Sequence, residues 1–195
     1  MVIAKDLEYL REPSKEVTGE LNVEAMAAAL MWELREWPGC SIAANQVHIK
    51  YRVCVIAQGT MMPIVLVNPV IIKEKKPRRV VEGCLSLPGI TVELARYMYV
   101  KVRAMDEKRR KVKYTFTGLQ AQAVQHEIDH LDGKLMIDFL PPDKKKEAEE
   151  FLRRMKEQDE RKTQGQQYSA QAEAADPQQE EAGAPGKTGD DQKEP

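Results

Sequence analysis

The sequence predicts an α+β fold, and three observations carry that expectation. A segment with helical apolar spacing opens the chain, short β-branched or alternating segments fill its middle, and helical patterns return near its end. Strands flanked by segregated helices point to mixed or antiparallel short strands around a central helix bearing an H-E-x-x-H pattern. A C-terminal helix and a disordered tail complete the expected architecture.

Asn22 is placed to cap a first helix, in which Val23, Met26, Ala27, Leu30, Leu34 and Trp37 recur at helical spacing until Pro38-Gly39 ends it. Residues 51–57 (YRVCVIA), 64–67, 70–72, 97–105 (YMYVKVRAM) and 112–116 (VKYTF) read as strands between turn signals. Residues 106–111 form the turn of a hairpin between the last two. Thr117 precedes GLQAQAVQHEIDHLDG, a helical pattern closing at Asp132-Gly133. After Pro141-Pro142, residues 143–161 form a strongly charged helical stretch with Phe151, Leu152 and Met155 as its few apolar contacts. The sequence contains no internal repeat.

Length and composition narrow the function. The chain has 195 residues, 30 basic and 31 acidic, for a net charge of -1. Its longest unbroken apolar run, Ala25 to Trp32, is far short of the ~20 residues of a membrane span. The first residues lack the basic start and apolar stretch of a secretory signal, so a cytoplasmic location is expected. Three cysteines, Cys40, Cys54 and Cys84, do not make a disulfide scaffold. From Thr163 onward there is no Val, Ile, Leu, Met, Phe, Trp or Cys, so residues 163–195 are expected to be a disordered acidic tail of net charge -5, and residues 1–162 the catalytic domain with net charge +4. No Gly-rich phosphate loop or direct nucleic-acid motif is present.

The chemistry sits in His126-Glu127-Ile128-Asp129-His130. Four-residue spacing puts both imidazoles on one helical face, where they can share a metal ion, and the adjacent glutamate can reach a water on that ion. The third ligand decides the class. The H-x-x-G-x-x-H continuation of metzincin proteases is missing, since the chain reads His130-Leu131-Asp132-Gly133-Lys134-Leu135-Met136. Glu147, Glu149 and Glu150 lie in a Lys-rich segment that looks like a solvated face. Cys84 in Glu82-Gly83-Cys84-Leu85-Ser86 is the better candidate.

Three motifs together resemble the peptide deformylase family: Gly39-Cys40-Ser41-Ile42-Ala43-Ala44-Asn45-Gln46, Glu82-Gly83-Cys84-Leu85-Ser86, and Gln125-His126-Glu127-Ile128-Asp129-His130. The resemblance covers roughly residues 1 to 155. It implies a metal-dependent hydrolase that removes the N-formyl group from formylmethionyl nascent peptides and releases formate. By that resemblance Cys84, His126 and His130 hold the metal, Glu127 moves the proton, and the Gln46 amide and the Leu85 backbone N–H stabilise the oxyanion. Gly39, Ser41, Ile42 and Arg96 are expected at the substrate, and the opposite charges of Glu82 and Arg96 near the cleft are placed to pair and hold its loop. Ferrous iron is the metal implied, with zinc, nickel and cobalt compatible with a thiolate and two imidazoles. The resemblance also suggests docking at the ribosome through the helix at 143–161.

The family's first motif carries a second glycine where this chain has Ser41, which is expected to narrow the cleft or alter substrate choice. Gln120 and Gln122 stand where related chains are more apolar. Two rival functions are an H-E-x-x-H metallopeptidase, which would not need Cys84, and a catalytically impaired deformylase-like binding protein.

Overall fold

The computed structural model describes residues 3–37, 39, 41–58 and 61–174. The chain divides into two compact units, one ending at Arg153 and one starting at Arg154. The order of elements in the first is a short helix α1 (Leu7–Arg11), α2 (Val23–Glu36), β1 (Ser41–Ala43), β2 (Val53–Gln58), β3 (Met61–Gly83), β4 (Thr91–Met105), β5 (Lys111–Thr117) and α3 (Gly118–Leu131). The last helix, α4 (Pro142–Ala174), begins in the first unit and continues into the second. It runs past Lys162, so residues 163–174 are helical and not the start of an unstructured tail. Long charged helices of this kind need few apolar anchors when polar side chains cover the turns. Residues 175–195 of the expected tail lie outside the described residues.

The five strands form one sheet in the order β1-β2-β3-β4-β5, with every neighbouring pair antiparallel. The mixed alternative is therefore set aside, and the strands are not all short. β3 spans 23 residues and takes in both the 64–67 and 70–72 segments, while β4 begins at Thr91 and not at Tyr97. β1 and α1 had no expectation attached to them.

Strand alternation sorts the side chains onto two faces. Ile42, Val53, Val55, Val65 and Val67 pack with Val23, Ala27 and Leu30 of α2. Their immediate neighbours Ala43, Cys54 and Leu66 point the other way and, with Val100, Val102 and Phe116, pack on Ala121, Val124, Ile128 and Leu131 of α3. The helix carrying the H-E-x-x-H pattern thus lies across the sheet with its apolar face inward. Asn22 caps α2, its Oδ1 accepting from the Ala25 N–H at 2.9 Å, which is worth ~1 kcal/mol.

The end of α3 is fixed by chain geometry. The Gly133 N–H donates to the His130 carbonyl at 3.1 Å and the Lys134 N–H to the Asp129 carbonyl at 2.8 Å, the paired bonds of a left-handed helix stop. Gly133 has φ 74°, and a Cβ there would stand 2.3 Å from the Arg11 carbonyl oxygen. Both the turn and the passage of the N-terminal segment require glycine.

Candidate metal centre

Three elements deliver the polar groups. β3 ends at Gly83 and releases Cys84 into a turn, α3 presents His126 and His130 one turn apart, and β1 with the following 3-10 turn supplies Ser41 and Gln46. The Cys84 Sγ and one ring nitrogen from each histidine all lie within 4.8 Å of one another. Cys84 Sγ is 3.2 Å from His130 Nε2, and the two rings meet edge to face with centroids 4.8 Å apart. Burial pushes the Cys84 thiol up, but the charges on His130 and His126 outweigh it and hold it well below its ordinary range. A readily ionised sulfur beside two imidazoles is the donor set of a divalent cation site with one position open.

The ligand helix is braced from behind. His126 Nδ1 is 2.9 Å from Glu82 Oε2, the carboxylate–histidine contact that orients a metal-binding ring. Arg96 holds Glu82 by Nε at 2.8 Å and Nη2 at 3.0 Å, and reaches Asp129 by Nη1 at 2.6 Å. Burial raises the Glu82 carboxyl, but the bonds from His126 and Arg96 prevail and bring it to about 2. Arg96, expected at the substrate, makes these contacts with both carboxylates. A guanidinium 5% exposed and neutralised by two carboxylates braces α3 against the end of β3; removing one partner of such a buried pair typically costs ~3–5 kcal/mol.

Glu127 is buried on α3 between the histidines. Its Oε1 accepts from Ser41 Oγ at 2.6 Å, and its Oε2 has no hydrogen-bond partner among the described residues. Burial raises its pKa, against the lowering influence of His126, His130 and Ser41. The residue that replaces the motif's second glycine therefore ties β1 to the acid of the H-E-x-x-H pattern. Gln46 turns its Nε2 toward Cys84 Sγ at 3.6 Å and Ser86 Oγ at 3.2 Å, while its Oε1 accepts from the Ala43 N–H at 2.9 Å. Asn45 Nδ2 donates to the His130 carbonyl at 2.6 Å, a support for the ligand that no spacing rule suggested.

Leu85 follows Cys84 in the turn, and its Cδ1 lies 3.7 Å from where a Cβ on Gly39 would stand. Ile42 is fully buried in the core under α2 and exposes no surface to a ligand. Cys40 lies outside the described residues. Cys54 is a buried strand residue paired with Ala43 of β1, and exposed His48 packs near Tyr9. Beside the centre a cleft of about 240 Å³ is lined by Ser41, Val81, Glu82, Leu119, Gln122 and His126, among others. Gln122 donates there to the Val81 carbonyl at 3.2 Å.

The polypeptide deformylase family profile matches residues 2–146. The chain belongs to the polypeptide deformylase family. The peptide deformylase of Alkalilimnicola ehrlichii is 35% identical over 137 residues, covering 69% of this chain and 77% of that protein. That of Hydrogenovibrio crunogenus is 38% identical over 157 residues, covering 77% and 92%. Among solved structures, a peptide deformylase from Legionella pneumophila superposes with a TM-score of 0.75 at 31% identity, covering 83% of this chain and 97% of that one. Peptide deformylase 1B of Arabidopsis thaliana, solved in complex with an inhibitor, gives 0.74 at 30% identity, covering 84% and 94%. This deformylase is thus a metal-dependent hydrolase that removes the formyl group from formylmethionyl nascent peptides, and neither the peptidase nor the impaired-binder alternative is favoured. No helix among its described residues is long and apolar enough to cross a membrane.

Proposed function

We propose that Cys84, His126 and His130 hold the deformylase metal and that Glu127 carries the proton of the reaction. The observation supporting this most strongly is the convergence of three ligand atoms within 4.8 Å, with an unpartnered, buried carboxylate oxygen on the residue between the two histidines. A divalent cation held there supplies polarisation of the formyl carbonyl and acidity to the attacking water.

The remaining work falls to this chain's own groups. Glu127 takes the water's proton at Oε2 while Ser41 keeps Oε1 in place. The water oxygen adds to the formyl carbon, the C–N bond breaks, and Glu127 returns its proton to the departing amine nitrogen, leaving formate and a free N-terminus. The Gln46 Nε2–H and the Leu85 N–H serve the oxyanion, each such donor being worth ~3 kcal/mol of barrier. β1 is an edge strand, so the backbone around Gly39 and Ser41 is the part open to pair with an extended peptide, with Ile42 anchoring it in the core.

Ferrous iron is the proposed metal on the strength of the family resemblance, the thiolate and imidazoles being equally suited to zinc, nickel and cobalt. Docking at the ribosome through residues 143–161 rests on its cations, of which Lys144 is paired with Glu147 and Lys145 with Asp138. Ribosome pelleting at low and high salt tests it, and a variant ending at Pro142 that stays folded and pellets as well as the full chain ends that reading.

The reaction itself is tested with formyl-Met-Ala-Ser and its unformylated counterpart. Formate must appear from the first and no free amino acids from the second. Peptide-bond cleavage without formate would sink the proposal.

A further inference from the structure

We propose that the open face of the β3-β4-β5 sheet binds single-stranded RNA. The cluster under α2 covers this face over β1, β2 and the start of β3 and reaches Met105 at the end of β4; from Lys73 and Lys101 across to Lys113, no cluster of buried residues among the described ones covers it. The register places side chains there in rows, since directly paired residues share a face. Lys73 stands opposite Lys101 and Arg103 opposite Lys113, and the flanking rows add Lys75 beside Tyr99 and Lys111 beside Met105. Like charges directly opposite one another destabilise a strand pair. None of these six cations has an ion-pair partner among the described residues. Glu74 pairs with Val100 and so belongs to the other face, and Glu93 is held by Arg79.

Uncompensated charge concentrated on one face, and set in register at a cost to the sheet, calls for a polyanion. Members of a row stand ~5 Å apart and successive rows on the face ~7 Å apart, which lets neighbouring cations meet successive phosphates of a flexible backbone. Tyr97 and Tyr99 continue the same face of β4 beyond Lys101, with Tyr97 37% exposed. Exposed aromatic rings beside cations on a sheet favour unstacked bases over a duplex or a lipid surface. The same strands present Glu82 and Arg96 from their opposite face, so the cationic surface points away from the reaction described above.

Fluorescence anisotropy of the full chain with a labelled 12-nucleotide RNA, titrated with salt, tests the proposal. Affinity should fall as salt rises, and Lys101→Ala/Arg103→Ala/Lys113→Ala should flatten the log–log slope by about 2, near 0.7 for each lost phosphate contact. Tyr97→Ala should weaken binding about tenfold at every salt concentration with the slope unchanged. Formate release from formyl-Met-Ala-Ser should match the parent in both variants, which shows that they fold. The charge-conserving pair Lys101→Arg/Arg103→Lys should bind like the parent. An unchanged slope in the triple variant overturns the proposal, as do equal affinity for duplex RNA and tighter binding to phosphatidylglycerol vesicles than to RNA.

Discussion

Glu127 divides its two oxygens between two tasks, and each can be removed separately. Glu127→Gln keeps the shape of the side chain but cannot accept a proton, so turnover should fall ~10²–10⁴-fold while elemental analysis finds the metal retained. Parallel loss of metal and activity would make Glu127 a structural support and not the proton carrier. Ser41→Gly removes the hydroxyl that fixes Oε1. A hydrogen bond to a charged group is worth ~1.5 kcal/mol, so kcat should drop about tenfold with KM nearly unchanged. Ser41→Thr, which keeps the hydroxyl, should stay near the parent; a rise in KM alone would instead mean that Ser41 acts on the peptide. The sequence could not reveal this bond. Spacing rules join residues one turn or one strand apart, and Ser41 and Glu127 are separated by 86 positions. His126 and His130 were legible because four-residue spacing puts both on one helical face. Arg96 and Glu82 were legible as opposite charges near the cleft, whereas Asp129, 33 positions from Arg96, was not.

Elements are joined at Asp138, in the 3-10 turn Met136–Phe139. Its carboxylate takes Arg11 of α1 at 2.6 Å, Lys145 of α4 at 2.7 Å and the Leu135 N–H at 2.8 Å. Burial raises this carboxyl, but the bonds from Lys145 and Leu135 and the charge on Arg11 prevail and hold it below the ordinary range. A folded-state pKa below the unfolded value of ~3.9 contributes stability above that value and loses it as pH falls through the folded one. Asp138→Asn should therefore lower Tm by about 2 °C at pH 7, the size being limited by solvent screening. The difference from the parent should shrink below pH 4, and a constant difference across that range would remove the charge from the explanation. At this scale α2 and α3 were plain in the sequence, since their apolar periodicity is a local property. The full reach of β3 was not. Pro69 and Pro77 and the charged run from Lys73 to Arg79 have the composition of loops, and only pairing with β4 makes them strand, while Pro63 lies in the part that pairs with β2. β1 is three residues long and gains its identity from β2, so nothing local announces it.

Across the whole molecule, the catalytic groups and every buried cluster come from residues before Arg153. A variant ending at Lys162 should thus release formate from short formyl peptides at the parental rate and melt within about 1 °C of it; a drop of several degrees would show that the later part of α4 stabilises the first unit. The order of strands in the sheet has a further consequence, for the time course of folding. Because spatial order follows chain order from β1 to β5, every strand pairing closes a loop between neighbours and none waits for a distant segment. Docking of α3 is different: it must bring His126 and His130 to Cys84 and to the β1 segment far upstream. If α3 docks after the rate-limiting step of folding, the three proposed ligands of the cation come together only once that step is past. Added cation should leave the refolding rate untouched and act wholly on the reverse rate, lengthening the lifetime of the native state.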